Sequence, residues 1–360
     1  MGVRTFIGAL ALALSLSLVL TGPAAAERFS FVAVGDTAYN PPADYPIYES
    51  LIGRINREKP AFTIHVGDTW GAMVCTEANH RMIRTWFDRY DHPVLYTPGD
   101  NEWTDCRKPE VLEAYIGTVR GNATPDQLRL LGQARSLDNA MAGTSFADTL
   151  ASRDAIRTVF FGEAKSLGRR TIPVVRQADV SEHKDMVENL RWERADVVFA
   201  TVHVPGTGMN FTINDPVRAN DAIARNKADV DWIKATFAEA KARDAKAVVI
   251  AIHAGMFEDA QGNDQFGKAL RGGAEGPYFW IALAIRDLAA QFGKPVLLVN
   301  GDFHELVIDR PFLVSEGEQR PPKYGNITRL QVYGAPEIKA VKVTVDTETP
   351  WVFGFEPLHD

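Results

Sequence analysis

After the first twenty residues this sequence has no apolar run approaching the 18 or so residues that a membrane-crossing helix needs, so nothing in its body calls for a bilayer. It lacks an excess of basic residues: 39 Lys and Arg stand against 46 Asp and Glu, a formal charge of -7. Phosphate backbones are held by clustered Lys and Arg, so general nucleic-acid binding is disfavoured. No repeat at solenoid period and no low-complexity tract occurs, which excludes an array architecture. Cysteine is nearly absent, with only Cys75 and Cys106. In an oxidising compartment these two most simply form one disulfide, a pair of reactive thiols being the other reading.

What is present begins with an export pattern. Arg4 precedes fifteen mostly apolar residues from Phe6 to Leu20, and Thr-Gly-Pro-Ala-Ala-Ala follows to Ala26. A charged start, a short apolar stretch and small residues read as a signal peptide over 1–26, giving a periplasmic or secreted product. The remaining 27–360, of a sequence 46% hydrophobic over its full length, is long enough for a sizeable core.

Short apolar runs alternate with amphipathic stretches, the pattern of an α/β protein. Strands are expected at Phe29 to Val34, Ala61 to Val66, Pro93 to Tyr96, Asp196 to His203, Ala247 to Ile252 and Pro295 to Val299. Runs at Ile327 to Tyr333, Ile338 to Val345 and Trp351 to Phe355 lack intervening helices and suggest an antiparallel end. The spacing of Ile223, Val230, Ile233, Phe237 and Ala240 predicts a helix over Ala222 to Arg243. Strand signals fade between Arg107 and Arg194, which reads as a mostly helical insertion over about 107–194.

Four Gly-Asp pairs follow apolar runs: Gly35-Asp36, Gly67-Asp68, Gly99-Asp100 and Gly301-Asp302. An Asp after a strand often caps a helix or closes a turn. That reading does not explain why His253 ends another strand or why His304 follows Asp302 by two residues. In an open α/β sheet the strand C-termini meet at one edge, where ligands bind, so six carboxylates and imidazoles at such ends form a metal-ligating pattern.

Taken in order, Asp36-Thr-Ala38, Gly67-Asp68, Gly99-Asp-Asn-Glu102, His253 and Gly301-Asp-Phe-His304 resemble the motifs of the calcineurin-like metallophosphoesterases, which include purple acid phosphatases and phosphodiesterases. Both gaps between the first three Asp residues are 32 positions. The resemblance implies a four-layer sandwich, two mixed β-sheets flanked by helices. It implies Asp36, Asp68 and His304 around one metal, and Asp68 bridging to a second held by Asp100, His253 and Asp302. The activity implied is hydrolysis of a small-molecule phosphate mono- or diester by a metal-bound hydroxide.

The departures are Ala38, Asp100-Asn101 and Asp302, each standing where the family usually has a His or Asn. Purple acid phosphatases carry a Tyr three residues after the second-motif Asp, and here that position is Gly71. Asn101 occupies the family's catalytic His position, and His203 at another strand end is the candidate to replace that imidazole, with a structural role as its other reading. A carboxylate-rich site favours Mn, Fe or Mg over Zn, with Ca an option. The competing readings are a degenerate relative that binds metal or a phosphorylated ligand without turnover, and a two-lobed solute-binding protein.

Overall fold

The computed structural model describes residues 2, 28–40, 43–71, 75, 77–106, 149–258, 262–273, 275–313 and 324–358. The signal segment lies outside these residues but for Gly2, as does 107–148 of the expected insertion. Among the described residues, no helix is long and apolar enough to cross a membrane.

Among the described residues, twelve strands form two sheets. The first has the order β12-β11-β1-β2-β3, built from β1 (Phe29–Val34), β2 (Thr63–His65), β3 (Val94–Tyr96), β11 (Ala340–Val345) and β12 (Phe353–Leu358). The second has the order β4-β5-β6-β7-β8-β10-β9, built from β4 (Val175–Arg176), β5 (Leu190–Arg194), β6 (Val197–Thr201), β7 (Ala247–Ala251), β8 (Val296–Asn300), β9 (Val307–Asp309) and β10 (Ile327–Gln331). Both are mixed: β1, β2 and β3 run parallel, as do β6, β7, β8 and β10, while β11 and β12 in the first sheet and β4, β5 and β9 in the second pair antiparallel.

The period-2 alternation of a strand explains how the sheets stack. Val197 and Phe199 of β6, Val249 of β7 and Leu297 and Val299 of β8 face a core shared with β1. Their neighbours Val198, Ala200, Val248, Ile250, Val296 and Leu298 face a second core. Buried on both sides, these strands are continuous apolar runs. Phe31 and Phe62 meet Phe199 at 5.8 and 5.1 Å between ring centroids, joining the two sheets. Each fully buried ring of this kind contributes about 1.5–3 kcal/mol.

Helices cover the outer faces. α1 (Tyr45–Glu58) buries Tyr48, Leu51, Ile52 and Ile55, and α2 (Glu77–Phe87) buries Ile83, Trp86 and Phe87, all in the shared core. α3 (Thr149–Phe160) packs on α2. The second core is closed by α5 (Pro216–Ala242) and α7 (Phe279–Phe292), which follow the short helices α4 (Gln177–Val180) and α6 (Gln265–Leu270). The expected helix at Ala222 begins earlier, at Pro216, because Asp215 caps the N–H groups of Val217 and Arg218 and Pro216 suits the first helical turn.

The segment read as a helical insertion is only partly helical where it is described. Beyond α3 it supplies β4 and β5, the edge of the second sheet. In β5, Leu190 and Trp192 point inward while Arg191, Glu193 and Arg194 are less buried, so charge masks the alternation.

Candidate metal centre

The parallel strands of both sheets end at one edge, and the loops leaving β1, β2, β3, β7 and β8 interlock there. Asp36 N–H donates to the Gly67 carbonyl at 3.0 Å, Asp302 N–H to Asp36 Oδ1 at 3.1 Å, and Gly301 N–H to the His253 carbonyl at 3.0 Å. Asp36, Asp68, Asp302 and His304 all hold positive φ, at 53, 50, 79 and 64°. Strain of this kind in non-glycine residues persists where the surroundings impose it, and it clusters at functional sites. Gly67, at φ 96°, leads into the Asp68 turn, and its α-carbon packs so closely on Gly99 that no side chain fits.

The six expected ligands converge. His253 Nδ1 donates to the Val66 carbonyl at 2.7 Å, which leaves the lone pair of the neutral ring on Nε2. That atom is buried without a hydrogen-bond partner and stands 3.5, 3.4 and 3.9 Å from carboxylate oxygens of Asp68, Asp100 and Asp302. His304 repeats the device: Nδ1 donates to the Ala335 carbonyl at 2.6 Å, and Nε2 lies 3.5 Å from Asp36 Oδ1. Asp36, Asp68 and His253 form one group able to hold a cation, and Asp100, His253 and Asp302 another. Asp302 and His304 keep 22% and 28% of their side chains exposed, so the cluster opens to solvent on that side.

Electrostatically the cluster is short of positive charge. Burial is the largest cause lifting the Asp36 carboxyl to about 7; His253 opposes it, and Asp302 and Asp100 add to it. Burial likewise raises Asp68 and Asp302. Burial alone would lower His253, but Asp68 and Asp100 outweigh it and hold the ring's pKa well above its ordinary value. Asp100 goes the other way, to about 2, because its contacts with His253 and the Thr207 hydroxyl overcome burial. Four carboxylates around two imidazoles are a donor set compatible with a bound cation. The donors, carboxylate oxygens with two imidazoles, suit hard or borderline metal ions.

Glu102 ties the loops together. One carboxylate oxygen accepts from Asp68 N–H and Gly99 N–H at 3.2 and 3.0 Å, the other from the Thr69 N–H and hydroxyl at 2.9 and 3.0 Å. The Cys75–Cys106 disulfide links the loops that carry Asp68 and Asp100, across 31 positions of sequence. Replacing both cysteines with serine is expected to lower stability by about 2–4 kcal/mol through the freed unfolded chain, read as a lower denaturant midpoint.

Asn101 and His203 are not brought into the cluster by their side chains. Asn101 touches it through its backbone, N–H to Asp68 Oδ1 at 3.0 Å, while its side-chain amide donates to the Trp70 carbonyl at 2.9 Å. His203 pairs with Glu188 at 2.9 Å and packs its ring 5.4 Å from that of Trp103. Burial pushes the His203 ring down to about 4 against the pull of Glu188, so it is neutral. Arg157 in turn holds Glu188, making a buried structural network.

Two residues in contact with the cluster lay outside the expected set. Thr207, in the 3₁₀ turn Thr207–Asn210, donates its hydroxyl to Asp100 Oδ2 at 2.6 Å. Tyr39 brings its hydroxyl to Asp36, Asp68 and His304. The only sequence signal for Tyr39 is its place three residues past Asp36 in the same loop. A further acidic group at Glu182, His183 and Asp231 is a surface cluster already neutralised by Lys227.

No family profile and no curated protein matches the sequence. Among solved structures, the chain is similar to a dimetal phosphatase from Danio rerio, at 9% identity over 88% of this chain and 95% of that one, with a TM-score of 0.45. It is also similar to GAP50, described as the anchor in the inner membrane complex of Plasmodium, at 8% identity over 92% and 89% of the two chains, with a TM-score of 0.44.

Proposed function

We propose that this chain is an exported, metal-dependent phosphoesterase hydrolysing a small-molecule phosphate mono- or diester. The observation that carries the reading is the convergence on one imidazole nitrogen: His253 Nε2 is buried, makes no hydrogen bond, and faces carboxylate oxygens of Asp68, Asp100 and Asp302 at 3.5, 3.4 and 3.9 Å. Asp36, Asp68 and His304 would hold one cation, and Asp68, Asp100, His253 and Asp302 a second. Bound there, two cations supply Lewis acidity toward the phosphoryl oxygens and a nucleophile at neutral pH.

The protein's own groups set the rest. The Val66 and Ala335 carbonyls fix the tautomers of His253 and His304. Glu102 holds the Asp68 and Gly99 backbones, and the Thr207 hydroxyl orients Asp100. The open side at Asp302 and His304 admits substrate.

With the Asn101 amide turned to Trp70, no imidazolium is offered to a leaving oxygen from that position. Good leaving groups are therefore favoured. Turnover of p-nitrophenyl phosphate is expected to exceed that of a simple alkyl phosphate by about 100-fold or more, the size of a missing general-acid contribution. Rates across esters of graded leaving-group acidity check this, and a flat dependence would contradict it.

The same Asn101 observation favours a second reading, a protein that binds metal or a phosphorylated ligand without turnover. Assay of p-nitrophenyl phosphate and its bis-ester with Mn, Mg, Fe or Zn separates the two. Metal-dependent turnover supports the enzyme, whereas stoichiometric metal without turnover on any ester supports the binder.

A further inference from the structure

Three neutral donors around the cluster are committed to the protein itself. The Tyr39 hydroxyl donates to Asp68 Oδ2, the Thr207 hydroxyl to Asp100 Oδ2 at 2.6 Å, and the Asn101 amide to the Trp70 carbonyl at 2.9 Å. An anionic ester entering among four carboxylates needs a donor for any oxygen that a cation does not take.

Tyr278, the residue before α7, has such a donor to offer. Its half-buried ring packs against the second core, and its hydroxyl reaches the Thr207–Asn210 turn, where it accepts from the Gly208 N–H at 2.9 Å. That bond occupies an oxygen lone pair and leaves the phenolic O–H unspent, with no acceptor for it among the described residues.

The turn sets this hydroxyl beside the second half-site. Thr207, the neighbour of Gly208, is bonded to Asp100, and one residue earlier a β-carbon at Gly206 would collide with Asp100 Oδ2 and lie 3.0 Å from Asp302 Oδ1. Thr207, Gly208, Met209 and Asn210 hold positive φ in succession, at 44, 60, 62 and 62°. Three of the four are not glycine, so the surroundings impose the shape. Arg225 Nη2 donates to the Met209 carbonyl and the Asn210 amide to Thr149 Oγ1, both at 3.0 Å, while Asn226 donates to the Pro277 carbonyl at 3.0 Å and holds the segment that carries Tyr278. Burial, with Asp302 and Asp100 adding to it against the Gly208 and Met209 N–H groups, pushes the phenol's pKa well above its ordinary value. It therefore serves as a hydrogen-bond donor and not as a source of protons.

We propose that Tyr278 is a substrate-binding residue whose hydroxyl donates a hydrogen bond to a phosphoryl oxygen of the ester and of the phosphate product. The assignment rests on the phosphoesterase reading above for the identity of the ligand. No proton changes hands in it, so the steep dependence on the leaving group expected from the Asn101 geometry is unaltered.

The test is equilibrium binding, which needs no turnover. Inorganic phosphate and fluoride are titrated calorimetrically into the metal-loaded mature chain and into Tyr278→Phe, with metal content measured for both. Fluoride is the control because cations bind it without any protein donor. Phosphate affinity lower by about 10-fold or more in Tyr278→Phe, the size of one hydrogen bond to a charged acceptor, with fluoride affinity and metal content unchanged, is the expected result. Phosphate affinity within about twofold of wild type overturns the assignment and leaves the phosphoesterase reading to its own assay. A joint fall of phosphate affinity, fluoride affinity and metal content also overturns it, since Tyr278 would then only hold the turn against Asp100. A wild-type chain that retains no metal overturns this assignment and the function proposed above together.

Discussion

Replacing Asp68 with Asn is expected to lower turnover by about three orders of magnitude, because in the proposed centre Asp68 would serve both cations, a role that contributes several kcal/mol to the stabilised transition state. Its two oxygens face different partners. Oδ1 lies 3.5 Å from His253 Nε2 and accepts from Asn101 N–H at 3.0 Å, while Oδ2 meets the Tyr39 hydroxyl. An amide of the same shape keeps the volume but loses the charge, and it turns one acceptor into a donor. Bound metal should therefore fall with activity. The fold should survive, since the buried Asp68 carboxyl already has its pKa raised by burial and by Asp100 and Glu102, against His253, and so costs the metal-free chain stability. Steady-state kinetics, elemental analysis and circular dichroism of the variant read the three quantities. Turnover within about tenfold of wild type would remove Asp68 from the proposed centre.

Stripping the metals is expected to make the chain less stable as pH rises from about 4 to about 7, the interval between the ordinary value of 3.8 and the raised Asp36 value. The sign follows from proton binding. A carboxyl whose folded pKa is raised contributes fully below its unfolded value, and that contribution is lost as pH climbs through the folded one. For Asp36, lifted from 3.8 to about 7, the loss is about 4 kcal/mol. His253, also raised, has the same sign, whereas Asp100, lowered to about 2, affects stability only below its ordinary 3.8. Bound cations replace the missing positive charge and cancel the trend. Thermal melts of chelated and loaded protein should therefore diverge with rising pH, by roughly 10 °C near pH 7. Parallel curves would show that these carboxylates do not share a cation.

The sequence makes β1, β2, β3, β6, β7 and β8 readable for one physical reason: each lies in a run of buried side chains that ends abruptly at Gly-Asp or His. The same runs place Asp36, Asp68, Asp100, His253 and Asp302 at one edge. β5 escapes because Arg191, Glu193 and Arg194 interrupt its apolar positions, and β4 because a two-residue strand such as Val175–Arg176 has no period to detect. The direction of a side chain within a turn is harder still. Tyr39 follows Ala38, which holds positive φ, and the Asn101 amide donates to the Trp70 carbonyl. Neither is a property of composition or spacing. His203 shares the strand-end position of His253, yet Glu188 claims its ring, a pairing 15 residues apart that no local pattern reveals.

The most direct test is the metal content of the purified mature chain after incubation with Mn, Fe, Mg or Zn and exhaustive dialysis, with Asp68→Asn and His253→Ala alongside. Two equivalents per wild-type chain, falling in both variants, is the predicted result. A wild-type chain that retains no metal under any of these conditions would contradict the proposed centre.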